Sequence, residues 1–195
     1  MRGMAIYQAR EIEKQLMSDL SVMGDDFIAL TQTFKDSQLR RLDSSCERTK
    51  KVGHTIRQTC QHKDFNIRLN NLSFFIKDEI QHSNGHCHTV IWTDELKKRN
   101  IDFNYFLNVL HGYWSAPFET YKDDSWSNLK DTVTEPKVGW MRSCLPETGT
   151  SKNLLQYQTK FLKNDKIVGV NYHASERLVK KLNSSNQDLY ILQRN

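Results

Sequence analysis

Three histidines and a cysteine crowd one short stretch, Gln81-His82-Ser83-Asn84-Gly85-His86-Cys87-His88. Asn84-Gly85 is a strong hairpin signal, and His86 to Trp92 reads as the returning strand. Alternation along a strand sends His86 and His88 to one face and Cys87 to the other. Two imidazoles at that spacing can share a metal ion, with His82 across the hairpin as a third ligand. The competing reading is a partly exposed hairpin in which Cys87 packs as a structural residue.

Little else in the chain carries a chemical signature. There is no helical HExxH pair, no phosphate-binding Walker loop and no GxSxG elbow, and no spacing favours a Ser-His-Asp set. Leu145-Pro146-Glu147-Thr148-Gly149 matches a sortase sorting signal, but patterned sequence follows it where an apolar segment and basic tail would be needed. It reads as a turn. The formal charge is +5, yet the basic residues fall in short clusters such as Arg40-Arg41, Lys50-Lys51 and Lys97-Lys98-Arg99 among acidic or neutral neighbours. No basic tract forms, so nucleic acid is not an expected partner. These observations point to a non-catalytic module without a cofactor. No apolar run approaches the roughly 20 residues of a membrane-spanning helix.

The elements that would position such groups begin with a long helical pattern. Ile6, Ala9, Ile12, Leu16, Leu20, Met23, Phe27, Leu30 and Phe34 recur at steps of three and four. Carried to Leu42, this predicts a helix about 50 Å long, a stalk over residues 1–42 whose stripe pairs with a second copy in a homodimer. Ser44-Ser45-Cys46-Glu47 reads as a capping box that starts a second helix bearing Val52, Ile56 and Cys60. After Cys60 the texture becomes strand-like. Strands are predicted at 67–69, 72–76, 86–92, 138–143, 154–162, 167–173 and 189–193, with helices at 94–99 and 104–110. The fold class is therefore α+β, a long N-terminal helix packed on an antiparallel sheet of about five strands, with residues 43–195 forming the main domain.

From Val138 the chain runs VGWMRSCLPETGTSKNLLQYQTKFLKNDKIVGVNYHASERLVKKL. Trp140, Thr148-Gly149, the polar turn Asn164-Asp165-Lys166, Val168-Gly169-Val170 and the short helix around Leu178 to Leu182 follow one another as in the Cache domain. This stretch resembles the closing half of that PAS-like extracytoplasmic sensor of bacterial receptors. Upstream, Ile101 to Phe118 is similar to the family's short helix and following strand. The resemblance implies a periplasmic ligand-sensing domain of a membrane-anchored receptor, a histidine kinase, a cyclic-di-GMP enzyme or a chemoreceptor. Its pocket would lie beneath the aromatic loop Ser115–Lys137, with Tyr121, Trp126, Trp140, Arg142, Tyr157 and Tyr172 contacting a small molecule. The arginine and aspartate that anchor amino-acid ligands in the family are replaced here by Asn104-Tyr105-Phe106 and Tyr172-His173-Ala174.

The four cysteines are Cys46, Cys60, Cys87 and Cys144. Cys46 and Cys60 stand 14 positions apart on one predicted helix, about 21 Å, too far for a bridge. Two complete pairings remain. Periplasmic sensors of cyclic-di-GMP phosphodiesterases join a cysteine near a helix end to one on a strand. That comparison implies Cys60–Cys87 and leaves Cys46 with Cys144. The alternative to the sensor is a metal-binding or metal-dependent protein that uses His82, His86 and His88.

Overall fold

The computed structural model describes residues 6–39, 42, 44–79, 85–115, 136–146, 151–160, 162–163, 166–167 and 171–185. The chain opens with helix α1 (Ile6–Ser21), which buries Ala9, Leu16 and Leu20. It stops well short of Phe34. Gly24 adopts a φ of +74°, a conformation that favours glycine, and the turn is closed by hydrogen bonds from Met23 N to Leu20 O and Gly24 N to Ser21 O. Phe27–Phe34 is then strand β1 and not a continuation of the stalk. The physical reason is visible in Phe27-Ile28-Ala29-Leu30. All four are buried, and a strand covered on both faces reads as a continuous apolar run whose spacing also satisfies a helical template. The residues expected to form a seam between copies, Leu16 and Leu20, are buried within one chain.

Further along come α2 (Asp36–Leu39), α3 (Ser45–Cys60), β2 (Phe74–Glu79), β3 (His86–Trp92), α4 (Asp94–Lys98), α5 (Phe103–Trp114), β4 (Gly139–Cys144), α6 (Ser151–Thr159), β5 (Leu162–Lys163), β6 (Lys166–Ile167), β7 (Asn171–Ala174) and α7 (Glu176–Ser185). The capping box forms as expected. Ser44 Oγ accepts from Glu47 N at 3.2 Å, and Ser44 N donates to the Glu47 carboxylate at 3.4 Å. Two predicted strands are corrected. Ile67–Leu69 leads into a 3-10 turn (Leu69–Asn71), and 154–162 is largely helix α6, where Leu155, Gln158 and Thr159 face inward at helical spacing. The strand predicted at 189–193 lies outside the described residues.

The sheet is five-stranded and antiparallel throughout, in the order β4-β1-β3-β2-β7, which bears out the α+β expectation. A two-stranded ribbon, β5-β6, stands apart. Helices cover both faces. On one, α3 and α5 pack Val52, Ile56, Phe106, Leu107 and Leu110 against Ile28, Leu30, Ile76 and Ile91. On the other, α1, α6 and α7 pack Leu16, Leu20, Leu155, Leu178 and Leu182 against Phe27, Phe75, Val90 and Trp92. No described helix is long and apolar enough to cross a membrane.

Candidate metal centre

Strand β2 begins apolar and ends Lys77-Asp78-Glu79, yet all six of its residues are buried. A charge taken out of water needs a partner, and each of the three has one. Asp78 faces α3, where Arg48 grips it in a two-pronged pair, Nε to Oδ1 at 2.9 Å and Nη2 to Oδ2 at 2.8 Å. The Cys87 thiol also donates to Asp78, at 3.5 Å. This half of the strand is structural.

Lys77 and Glu79 turn to the opposite face, and the register places Glu79 beside His86 and Lys77 beside His88. The Glu79 carboxylate oxygen Oε2 lies 2.7 Å from His88 Nε2 and 3.2 Å from His86 Nε2. All three ligand-type atoms lie within 4.8 Å of one another. Thr31, opposite His88 on β1, brings its hydroxyl to within 3.3 Å of His88 Nδ1. That contact can fix the ring and leave Nε2 directed at the cluster, the usual second contact of a ligating histidine. Lys77 Nζ is 3.9 Å from Glu79 and donates to Lys160 O at 2.5 Å.

Electrostatics favour the ligating state. Burial lowers the His88 pKa to about 4; its hydrogen bond to Glu79 opposes this and the charges of Lys77 and His86 add to it. His88 is therefore neutral at neutral pH. Burial works against ionisation of Glu79, but hydrogen bonds from His86 and His88 outweigh it and hold the carboxyl well below the ordinary carboxylate range. Burial also brings Lys77 down to about 8, against the pull of Glu79 and Glu13. Two imidazole nitrogens and one carboxylate oxygen make a three-ligand set for a borderline divalent cation such as zinc or manganese, with coordination positions left for water or substrate.

The sequence placed His86 and His88 on one face and Cys87 on the other, as found. His82 lies outside the described residues, and the third ligand type is supplied by Glu79, which the sequence reading missed. A usable signal existed: a hairpin turn between β2 and β3 sets the last residue of one strand against the first of the other. Tyr157, on α6, is 56 % exposed and stands edge-on to His88, ring centroids 5.3 Å apart. Trp140 and Arg142 lie on β4. Tyr172 lies on β7, where it stacks on Phe75 at 5.9 Å. Those two strands are the opposite edges of the sheet, four spacings or about 19 Å apart. One small ligand does not span them. Tyr121 and Trp126 lie outside the described residues.

Neither expected disulfide is formed, and the four cysteines are reduced. Cys60 and Cys87 share the core under α3, but the Cys87 thiol is directed to Asp78. Cys46 is exposed at the start of α3, while Cys144 packs with the core on the other face. Beside the β7 edge, Tyr172 and His173 line a depression of about 680 Å³ together with Cys46, Lys50, His54 and Arg57 of α3.

No protein-family model, curated protein or solved structure matches this chain.

Proposed function

We propose that the protein is a divalent-metal-dependent enzyme that cleaves phosphodiester bonds in nucleic acid, with the Tyr157 hydroxyl as nucleophile. The observation that carries the reading is the convergence of Glu79, His86 and His88 on one point with Tyr157 against His88. Glu79, His86 and His88 would hold the cation, and it would supply Lewis-acid polarisation of a phosphoryl oxygen. Tyr157 Oη bonds to phosphorus as the bond to the leaving oxygen breaks. The phenolic proton passes to solvent, and the leaving oxygen takes one up as a hydroxyl. The product is a phosphotyrosyl diester, covalent catalysis that splits one difficult step into two easier ones. Because that ester keeps the phosphoryl group activated, a hydroxyl can attack it in return and rejoin a strand. RNA carries its own internal nucleophile in the 2′-hydroxyl, so a tyrosine at this position suits DNA. This reading reverses the expectation of a non-catalytic module that avoids nucleic acid.

The test is incubation of the protein with manganese and an end-labelled, randomised single-stranded DNA pool, followed by denaturing electrophoresis. A labelled covalent adduct should appear with the metal and vanish with chelator. Tyr157→Phe should abolish the adduct while keeping the manganese-induced rise in melting temperature, and His88→Ala should abolish both. An adduct that survives Tyr157→Phe, or wild-type protein whose melting does not respond to zinc or manganese, refutes the reading.

A second reading, a ligand sensor of the Cache kind, draws support from the five-stranded antiparallel sheet beneath an N-terminal helix. It predicts a small-molecule melting shift indifferent to Glu79→Gln, and a panel of amino acids and carboxylates separates the two.

A further inference from the structure

Resting on the nuclease reading, we propose that the DNA strand leaves the metal centre across β1 toward edge strand β4, where Trp140 stacks on a base and Arg142 binds a backbone phosphate. The register lays two parallel rows across this face. One runs Glu79, His86, Thr33, Trp140; the other runs Lys77, His88, Thr31, Arg142. Every member of a row points to the same side of the sheet, because directly paired residues in an antiparallel sheet share a face.

The two directions out of the centre differ. Toward β7 the way is filled: Lys77 is buried and tied to Lys160 O, and Tyr172 beyond it stacks on Phe75. Toward β4 the residues are half-buried, Thr31 and Thr33 first and then Trp140 and Arg142. At the Trp92 end of the same face Phe27, Ala29, Val90 and Trp92 are buried with residues of the covering helices. Among the described residues, the covering helices therefore bury the Trp92 end of this face more completely than the Thr31–Thr33 end, so the less covered direction out of the centre runs to β4.

Among the described residues, buried Arg142 Nε meets no hydrogen-bond acceptor. A guanidinium N–H withdrawn from water in this way lacks an acceptor, which a phosphate oxygen supplies in a fitting geometry. Trp140 offers the flat apolar surface on which single-stranded bases stack irrespective of sequence. Its position is fixed from both sides. Its carbonyl accepts from Trp114 Nε1 at 3.1 Å, and the preceding Gly139 lies so close to β1 that a Cβ there would stand 1.7 Å from Thr33 O. From the His86–His88 strand to β4 is two strand spacings, about 10 Å. At about 3.4 Å per stacked nucleotide, the contacts fall two to three nucleotides from the scissile phosphate.

The experiment measures fluorescence anisotropy of a labelled oligothymidylate against wild type, Trp140→Ala, Trp140→Phe and Arg142→Ala, with the manganese melting shift of each protein recorded in parallel. Trp140→Ala should weaken binding about tenfold, within the range for one stacked base, and Trp140→Phe should restore most of it. Arg142→Ala should reduce the dependence of log affinity on log salt by about one phosphate's worth. The metal shift, which reads Glu79, His86 and His88 alone, should persist in both alanine variants. Wild-type binding that neither alanine variant alters removes the track alone, as does a loss that Trp140→Phe fails to recover. Wild-type protein that retains its metal shift but binds no DNA removes the nuclease reading and the track together.

Discussion

Burial lowers the pKa of three histidines in this fold, His88 and His111 furthest and His173 as well, and acid should unfold it in a way that can be assigned in part to one of them. His111 on α5 is fully buried, and burial lowers its pKa to about 3 from an ordinary 6.5. His88 is lowered to about 4. In both cases the folded state binds fewer protons than the unfolded chain between the two values. Stability therefore rises with pH in that window: it is fully present above about 6.5 and is lost as pH falls toward the folded value. Integrated over the whole window, His111 corresponds to about 5 kcal/mol and His88 to about 3 kcal/mol. Between pH 7 and pH 5 each costs about 2 kcal/mol, together a large part of a domain's usual stability of about 5–15 kcal/mol. His111→Phe keeps an aromatic ring beside Ser143 and removes the titration. Urea unfolding at pH 7, 6 and 5 should show wild type losing about 4 kcal/mol and the variant about half of that. Their difference at any one pH is uninformative, since repacking shifts it. If the two proteins lose stability in parallel from pH 7 to pH 5, His111 is not held neutral by burial and the argument fails.

Ser44→Ala removes one side of the capping box on α3 and should cost about 1 kcal/mol by urea midpoint, with the metal-induced melting shift unchanged. Arg48→Met strands the Asp78 carboxylate in the core and should cost about 3–5 kcal/mol. Adding Asp78→Leu should recover most of that loss, and a double-mutant cycle that comes out additive would show the pair to be uncoupled. Gly139→Ala drives a Cβ into Thr33 O and should lower stability by more than about 3 kcal/mol. Amide exchange should then quicken at Thr33 and Phe34, and unchanged protection there would contradict the close approach.

Several features were legible in the chain because they are local. The capping box at Ser44 and Glu47 depends on residues three apart, the face shared by His86 and His88 depends on strand alternation, and the short helices near Asp94 and Phe103 depend on their own periodicity. The antiparallel sheet was also foreseen from the strand-like spacing that appears after Cys60, although β1 precedes that point and four helices follow it. Phe27–Phe34 was misread because a central strand buried on both faces loses the alternation that identifies strands, and its apolar run continues the helical count of α1. Its membership of the sheet was decided by pairing with both β3 and β4. The candidate centre divides along the same line. Its two histidines are two residues apart and could be found by eye, whereas Glu79, Thr31 and Tyr157 reach them from two other strands and a helix. No spacing in the sequence encodes those approaches, because register and helix docking are set by burial of the whole face and not by the neighbours of any one residue.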